Sequence, residues 1–552
     1  MNNKFKSTFI LICTLLVLTA STSTKSEYYS EVAKSQKLIM DVYKYTVNNY
    51  ADELDLEEYT RSSIKNIVES LDPYTVYMEE EERSNIDMLT KGKYGGVGIQ
   101  ISKRQGELTV IAPIDDTPAQ KAGIQSGDVI AKIDTFLTNN LSSTDAAKLI
   151  RGKKGSTVVL HIKRIGYDNL LDFPLIRDDI KVNDVAWFGK VNDDIGYVRL
   201  TRFSKNSSGE IKEALISLVN ENTDGIILDL RDNPGGLLQS SIEILDMLIP
   251  KGELLLSTKG RIKKSNRDYF SQKDPIIPED IKIAILINNG SASASEIVSG
   301  TLQDLDRGIV IGRQSFGKGL VQSVYGLDKK RSLKLTTAKY FIPSGRLIQK
   351  EGYLDKKIVS DLTEIDSLYY TSGGRLVKGG GGISPDLKIK NFEYGPLTTA
   401  CWRKGMYFSF VQQQKKRYKT LEDVNTNFEL LNDFAQFIES KELKIELTGE
   451  KLFADAKDKI LTIDSTDVEL ISAFDKINQF LKKKKSQLIY EESEEIIHQL
   501  KLEFANHFNG KRGRYMESFK QDIDVIEAVE YLSDEKAYEY IFSVNKILDK
   551  EY

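Results

Sequence analysis

The sequence has few of the residues that build disulfides, metal sites and serine-activating bases. Its 552 residues include only 2 cysteines and 3 histidines. Cys13 lies in an apolar N-terminal run, so its removal would leave Cys401 alone and exclude an intramolecular disulfide. No cysteine and histidine cluster has the spacing of a metal site. We therefore expect stability from packing, no bound metal and no cofactor.

The chain also lacks a large excess of either charge. Its 77 basic and 81 acidic residues give a net charge of −4, which does not favour a nucleic-acid partner. Hydrophobic residues make up 40% and charged residues 29%, as in ordinary globular proteins. A chain of this length is expected to form several domains.

The N-terminus predicts export. Lys4 and Lys6 precede an apolar run over 9–20, which is short for a membrane span. We interpret residues 1–24 as a signal peptide, with cleavage within 20–26. An uncleaved membrane anchor is the alternative. The expected location is the bacterial periplasm or cell envelope.

Residues 283–322 are the most informative stretch. An apolar run over 283–287 predicts a buried strand, which the following Asn and Gly residues end. Small residues then begin a helix whose packed face carries Ile297, Leu302 and Leu305. A helix N-terminus suits a nucleophilic serine, because unpaired backbone N–H groups there stabilise developing negative charge.

A lysine offers the base that the scarce histidines do not. None of the three histidines lies near this stretch in sequence, although distant residues can meet in space. Lys318 sits between two glycines, with Phe316 and Leu320 beside it. In an apolar pocket the pKa of a lysine falls, and the amine can be neutral. If this segment is extended, Lys318, Leu320 and Gln322 face one way, and Gln322 can hold the amine by a hydrogen bond.

Two motifs here resemble those of the carboxyl-terminal processing peptidases, also called tail-specific proteases. They are G-S-A-S-A-S-E-I over 290–297 and F-G-K-G-x-V-Q over 316–322. The resemblance implies a Ser-Lys endopeptidase, with the nucleophile at Ser293, the base at Lys318 and a lysine-orienting glutamine at Gln322.

A third motif, D-L-R-x-N-P-G-G over 229–236, also resembles that family. The resemblance implies an oxyanion hole made by the backbone N–H of Gly235 or Gly236 together with that of Ala294. Glu296 is left open: it either helps to orient the site or is an ordinary first-turn acid that favours the helix N-terminus.

Residues 91–178 resemble a PDZ domain. A G-x-G-I loop, Gly96-Val97-Gly98-Ile99, precedes the signature A-x-x-A-G-I-x-x-G-D-x-I over 119–130. Residues 143–152 fit the groove helix and 157–164 the last strand. Backbone N–H groups of such a loop can capture a terminal carboxylate, and an extended peptide then adds as a strand. The default preference is an apolar tail.

The fold class predicted is multidomain α+β. A helical N-terminal region over 25–90 precedes the PDZ β-barrel-like domain. An α/β peptidase core follows over 179–390 and is crotonase- or ClpP-like by resemblance. Residues 391–552 are predicted to be mostly helical and to form a scaffold or self-association domain. The amphipathic segments there are 421–437, 468–481, 491–508 and 516–532.

Together these features predict an exported serine endopeptidase that cuts proteins near their C-termini. Its partners are protein substrates with free C-terminal tails, with a homo-oligomer and a membrane-attached form left open. One alternative is a non-catalytic PDZ adaptor on a peptidase scaffold, against which the intact Ser293, Lys318 and Gln322 argue. The other is an acyl hydrolase of small molecules, which would need no reader of peptide tails.

Overall fold

The computed structural model describes residues 28–79, 90, 92–114, 116–164, 166–350, 368–424, 428–463, 466–543 and 548–549. The predicted signal peptide lies outside these ranges. Within them, no helix is both long and apolar enough to cross a membrane. The chain divides into two compact units, and the described residues of the first are 28–77.

The first unit contains two packed helices. They cover residues 28–49 and Leu56–Glu69, and Asp55 caps the second by accepting hydrogen bonds from two backbone N–H groups of its first turn. Tyr43 joins the helices through its hydroxyl, 2.8 Å from Thr60 Oγ1. The segment Leu71-Asp72-Pro73-Tyr74-Thr75 predicts a break in the helical pattern, and the structure confirms it: the second helix ends at Glu69 and the short strand Val76–Met78 follows.

The second unit begins with an antiparallel sheet around a small apolar core, as a PDZ domain requires. Its strands, in sheet order, are Ile99–Arg104, Glu107–Pro113, Val129–Ile133, Thr157–Lys163 and Leu171–Ile176, with Phe136–Leu137 beside Val129–Ile133. The helices are Pro118–Lys121 and Ser143–Ile150. A separate ribbon pairs Lys93–Gly96 with Asp178–Lys181.

The predicted groove helix is confirmed, whereas Thr157–Lys163 is not the last strand of the PDZ sheet. Leu171–Ile176 pairs with it along almost its whole length. Sequence alternation did not reveal this extra strand, because Pro174 interrupts it; the strand lies at the edge of the sheet, where proline is tolerated.

The peptidase core is built on a mainly parallel seven-stranded sheet. Its strands, in sheet order, are Val185–Lys190, Ile195–Leu200, Gly225–Asp229, Lys282–Ile287, Ile309–Gly312, Leu387–Lys388 and Leu548–Asp549, of which only the first pair is antiparallel. The connecting helices are Ser207–Asn220, Leu238–Leu245 and Ala294–Asp304. The central strands are almost continuously apolar and fully buried, as parallel strands covered on both faces must be.

A second sheet lies beside this core and carries the segment after Lys318. The long strand Ser332–Phe341 pairs with Leu320–Gly326 and with Leu254–Lys259, and the last of these pairs with Arg267–Phe270. The hairpin Leu368–Tyr370 and Leu376–Lys378 follows. The Pro343-Ser344-Gly345 segment predicts a turn at the end of the long strand, and the structure confirms it, with Gly345 at a positive φ of 87°.

The C-terminal region is helical, as predicted, but its helices differ from the predicted segments. They are Pro396–Lys404, Met406–Gln414, Phe428–Ser440, Glu450–Leu461, Val468–Glu491, Ser493–Ser518, Ile523–Ser533 and Glu535–Ser543. The predicted segment 516–532 is broken, because Asp522 caps a new helix by accepting a hydrogen bond from Val525 N. The multidomain α+β fold class is confirmed.

Two other local predictions were wrong. The sequence predicts Ser207 as the cap of the helix that follows it, but Asn206 is the N-cap, and the Ser207 hydroxyl instead donates a 2.7 Å hydrogen bond to buried Asp184. The glycine run over 379–382 was expected to be a flexible loop. Its backbone is instead anchored, since Gly380 N and Gly382 N donate to the carbonyls of Leu347 and Ile348.

Candidate active site

Ser293 lies where the strand Lys282–Ile287 turns into the helix Ala294–Asp304. Its backbone has φ 56° and ψ −113°, outside the regions that residues with a side chain normally adopt. Such strain persists where the surrounding structure enforces it, and it is concentrated at functional sites. Ser293 is partly exposed, whereas every residue of the helix behind it is buried. Ser293 is therefore open to solvent in front of a buried helix.

Hydrogen bonds from small side chains hold this turn against the end of the neighbouring strand Gly225–Asp229. Ser291 Oγ donates to Leu230 O at 2.8 Å, and Ser295 Oγ donates to Asn233 O at the same distance. Ala292 N also donates to Asn233 O, at 3.0 Å. The serines of the G-S-A-S-A-S motif thus fix the turn that carries Ser293.

The same contacts bring the predicted oxyanion glycines beside Ser293. Gly235 has φ 91°, and a Cβ placed on it would lie 2.8 Å from Ser293 Cβ and 2.9 Å from Ala294 N. The Gly235 N–H is already used, because it donates to Asn233 Oδ1 at 2.9 Å. Within the described residues no acceptor is found for Gly236 N or Ala294 N. Of the two glycines, Gly236 can therefore donate to a ligand without losing an internal hydrogen bond.

Glu296 and Tyr340 bring the backbone of Lys318 to that of Ser293. Glu296 Oε2 accepts from Ser293 N at 2.7 Å and from Lys318 N at 2.9 Å. The Tyr340 hydroxyl contacts the carbonyl oxygens of the same two residues, at 3.2 Å for Ser293. Although 25 positions apart in number, the two residues are neighbours, and Lys318 is partly buried.

The expected alternation of Lys318, Leu320 and Gln322 is only partly found. Lys318 precedes the strand Leu320–Gly326, and a register shift between Val321 and Gln322 interrupts the regular pairing. The Gln322 amide donates to Leu320 O at 3.4 Å. Leu320 is buried, as an apolar wall would be. Phe316, in contrast, is exposed and does not enclose the site.

Sequence reasoning missed several residues that shape this site. Buried Gln349 accepts a 2.9 Å hydrogen bond from Gly319 N through its amide oxygen. The Ser315 hydroxyl donates to Glu296 Oε1 and accepts from Ile383 N. Tyr340 belongs to a strand that was predicted, but its inward direction follows from pairing that the sequence does not show. The glycines Gly317, Gly319 and Gly382 are the sequence signal that backbone packs closely here.

The end of the sheet beside this turn carries a dense ionic cluster. Asp229 is fully buried, and Tyr197 Oη, Arg199 and Arg231 donate to it at 2.6–2.7 Å. Burial alone would raise the pKa of Asp229, but the two guanidinium groups hold it well below its usual range. Arg231 also binds Asp522 and Asp524 of the C-terminal helices at 2.8–2.9 Å, so the cluster spans two domains.

The histidines lie apart from this arrangement. His161 is in the PDZ sheet, 2.5 Å from Asp172, while His498 and His507 lie on the helix Ser493–Ser518. Across the described residues, no histidine hydrogen-bonds to Ser293 and no cluster of three or more metal-ligating side chains occurs. Burial raises the pKa of the Cys401 thiol to about 12, so this cysteine is an unreactive core residue.

The PDZ loop has its carbonyl groups bonded inward. Val97 O accepts from Ala119 N and Gly98 O from Ile114 N, both at 2.9 Å. Gly98 has φ 80°, and any Cβ there would collide with Thr117 at 2.3 Å. In this part of the described chain, no acceptor is found for the N–H groups of Val97 and Gly98. The loop can thus donate to a ligand without losing an internal hydrogen bond.

Comparison with known families adds three matches. The PDZ domain model matches residues 95–186, the model of peptidase family S41 matches 194–358, and that of a C-terminal helical domain of PDZ-proteases matches 397–532. These ranges overlap the PDZ, peptidase and C-terminal regions described above. The last match accounts for helices that the sequence motifs left without a family.

Similar proteins are known from several bacteria. The carboxy-terminal-processing protease of Bartonella bacilliformis is 38% identical over 354 residues, which cover 63% of this chain and 80% of the relative. The carboxy-terminal processing protease CtpA of Bacillus subtilis is 30% identical over 390 residues, covering 69% and 82%. A solved structure, the photosystem II D1 C-terminal processing protease, is 26% identical and covers 64% and 86%, with a TM-score of 0.36.

Proposed function

The chain belongs to the carboxy-terminal-processing protease family of serine-type peptidases, and on that basis we propose that it is an exported Ser-Lys endopeptidase that reads protein C-termini through its PDZ domain. Ser293 is the nucleophile, Lys318 the general base and Gln322 the residue that orients the lysine. The arrangement at Glu296 and Tyr340 is the main support, because it brings the backbones of Ser293 and Lys318 together.

The proposed chemistry is acyl transfer to serine. Neutral Lys318 takes the proton of the Ser293 hydroxyl, and the oxygen attacks the scissile carbonyl carbon. The backbone N–H groups of Gly236 and Ala294 bind the oxyanion, each contributing about 3 kcal/mol to transition-state stabilisation. Protonated Lys318 then gives its proton to the leaving amine, and water hydrolyses the acyl-enzyme. No cofactor takes part.

The PDZ domain supplies the choice of substrate in this proposal. The N–H groups of Val97, Gly98 and the adjoining loop bind the terminal carboxylate, and the tail adds as a strand beside Ile99–Arg104. An apolar tail suits the groove between that strand and the helix Ser143–Ile150.

Cleavage of an unstructured protein with a free apolar C-terminus tests the catalytic part. The wild type, Ser293→Ala and Lys318→Ala are compared, with each variant shown to be folded. We expect both substitutions to abolish cleavage. Cleavage that survives Ser293→Ala would contradict the assigned nucleophile, and activity that survives Lys318→Ala would contradict the assigned base.

A matched substrate tests the tail-reading part. The same protein is offered with its final apolar residues replaced by aspartates, or with its C-terminal carboxylate amidated. We expect a higher KM for both altered substrates and an unchanged kcat at saturation. Equal KM values for all three substrates would refute recognition of the C-terminus while leaving the peptidase chemistry intact.

Export is proposed from the N-terminal sequence alone, with its lysines before the apolar run 9–20. Fractionation of cells expressing the full chain, followed by N-terminal sequencing, tests it. Recovery from the periplasm or membrane with cleavage within 20–26 is expected of a signal peptide. Recovery from the membrane with an intact N-terminus would indicate the anchor, and recovery from the cytoplasm would refute export.

A further inference from the structure

Glu296 makes more contacts than a first-turn helix acid needs. Its side chain is fully buried, and both oxygens accept two hydrogen bonds each. Oε1 accepts from Ser315 Oγ at 2.5 Å and from Gly317 N at 2.7 Å. Oε2 accepts from Ser293 N at 2.7 Å and from Lys318 N at 2.9 Å.

Only one of these four bonds is explained by helix capping. A glutamate at the third helical position commonly accepts from the backbone N–H of the N-cap residue, here Ser293. The other three donors belong to a different segment, Ser315–Lys318, which the chain reaches only after another strand. Glu296 therefore adds three hydrogen bonds between two segments that are otherwise linked here by one backbone hydrogen bond, from Phe316 N to Ser291 O at 3.0 Å.

The hydrogen-bond donors around Glu296 indicate which ionisation state of its side chain the site accommodates. Three backbone N–H groups, which can only donate, point at the two oxygens, and the Ser315 hydroxyl donates to Oε1 as well. Burial raises the pKa of Glu296, and the hydrogen bonds from Ser315, Lys318, Gly317 and Ser293 oppose that rise. The geometry suits a carboxylate, and an amide in its place would turn an NH₂ group toward N–H donors.

We propose that Glu296 is a positioning residue whose carboxylate sets the separation of nucleophile and base by holding the backbone N–H groups of Ser293 and Lys318 at one oxygen. This inference rests on the proposed Ser-Lys function. Glu296 touches neither substrate nor the reacting atoms, and it acts through the backbone of the two residues that do. The Tyr340 hydroxyl, on the carbonyl side of the same two residues, completes the constraint.

A role in positioning predicts a specific kinetic effect. A displacement of about 1 Å between reacting groups lowers the rate of the chemical step about 100-fold and leaves substrate binding unaffected. Glu296→Gln should therefore lower kcat about 100-fold with KM within about threefold of the wild type. Glu296→Asp keeps the charge on a shorter side chain and should recover part of the lost kcat.

Asp304 provides a matched control. It is the last residue of the same helix and is equally buried, and its carboxylate accepts from Ser344 N at 3.0 Å and from Arg346 at 2.7 Å. Asp304→Asn should destabilise the protein at least as much as Glu296→Gln. Because Asp304 lies at the opposite end of the helix from Ser293, the kcat of Asp304→Asn per folded molecule should stay within about threefold of the wild type.

The test measures kcat, KM and the unfolding midpoint for the full-length wild type, Glu296→Gln, Glu296→Asp, Asp304→Asn and Ser293→Ala on one unstructured substrate. The inference is supported if kcat falls in Glu296→Gln but not in Asp304→Asn, and if Glu296→Asp recovers part of the loss. It is overturned if Glu296→Gln keeps its kcat, or if Asp304→Asn loses as much.

Ser315→Ala keeps the test decisive if Glu296→Gln does not fold. This variant removes one donor from Oε1 and retains the carboxylate, so kcat should fall about tenfold at unchanged KM. An unchanged kcat in Ser315→Ala would then overturn the inference. Substantial cleavage by Ser293→Ala would refute the proposed function itself, and this inference with it. Loss of activity in Ser293→Ala with full activity in Glu296→Gln would refute only the role of Glu296.

Discussion

Gly235 leaves no room for a side chain beside Ser293. A Cβ there would approach Ala292 O to 2.6 Å, Ser293 Cβ to 2.8 Å and Ala294 N to 2.9 Å, and two of these three neighbours are backbone atoms. The turn that carries Ser293, the proposed nucleophile, and the turn that carries the two glycines are therefore packed at backbone contact. This closeness, and not flexibility alone, explains why the position is glycine.

Gly235→Ala should lower kcat about 100-fold or more, since shifting the turn displaces the oxyanion donors. Gly252→Ala is the matched control: its φ of 97° is similar, but no atom lies within 4 Å of an added Cβ. Both variants should lose about 1–2 kcal/mol of unfolding free energy from the left-handed backbone. Steady-state kinetics and urea unfolding separate the two effects, and equal kcat values in both variants would contradict the packing argument.

Tyr340 supports the site from the carbonyl side. Its side chain is buried, and its hydroxyl contacts the carbonyls of Ser293 and Lys318. Tyr340→Phe should lose about 1–2 kcal/mol of unfolding free energy, with kcat about tenfold lower. Tyr538 is also buried and donates to Ile283 O at 3.1 Å, far along the strand from Ser293. Tyr538→Phe should show a similar loss of stability at unchanged kcat, and a fall in its kcat would refute a specific role for Tyr340.

At the scale of the element, the strands and turns around the site were predictable from the sequence. The apolar run 283–287 specified a buried strand, and the glycine-rich motifs marked the two turns, because these features depend on local pattern. The contacts of Glu296 and Tyr340 were not predictable, since they depend on which strands pair. The register shift before Gln322 was not predictable for the same reason, because the sequence of one strand does not show where its pairing with the neighbouring strand shifts.

The ionic cluster around Asp229, at the ends of these strands, makes the stability of the core depend on pH. Because the pKa of Asp229 is depressed when folded, its contribution to stability is present above the unfolded value near 4 and is lost as pH falls below it. Asp229→Asn leaves Arg199 and Arg231 without their buried partner and should lower the unfolding free energy by about 3 kcal/mol at pH 7. Urea unfolding from pH 7 to pH 3 should show this difference narrowing with acidity. A constant difference across that range would contradict the assignment.

At the scale of the whole molecule, the C-terminal helices complete the peptidase core. One face of the seven-stranded sheet packs on the helices between its strands, and the other packs on residues from 515 to 542. Trp187, on the edge strand Val185–Lys190, stacks on Tyr515 with ring centroids 5.1 Å apart. The scaffold interpretation of the C-terminal region is therefore supported for these last helices, since without them apolar strand residues would face water.

This arrangement predicts that the catalytic core and the last helices unfold together. Leu532, on the helix Ile523–Ser533, is 1% exposed in this interface, and Leu532→Ala should lower the unfolding free energy by about 2–5 kcal/mol. Leu452, on another C-terminal helix, is 75% exposed, and Leu452→Ala should change it by no more than about 0.5 kcal/mol.

The fluorescence of Trp187 reports this interface directly once Trp402, the second of the chain's 2 tryptophans, is replaced by phenylalanine. In that background, the fluorescence change and the loss of peptidase activity should share one thermal midpoint, and Leu532→Ala should lower both by the same amount. If activity outlasted the Trp187 transition, the core would be stable without these helices. The helices would then be an appended domain, and this outcome would refute the expectation of joint unfolding, which assumes that nothing else keeps this apolar face of the sheet out of water.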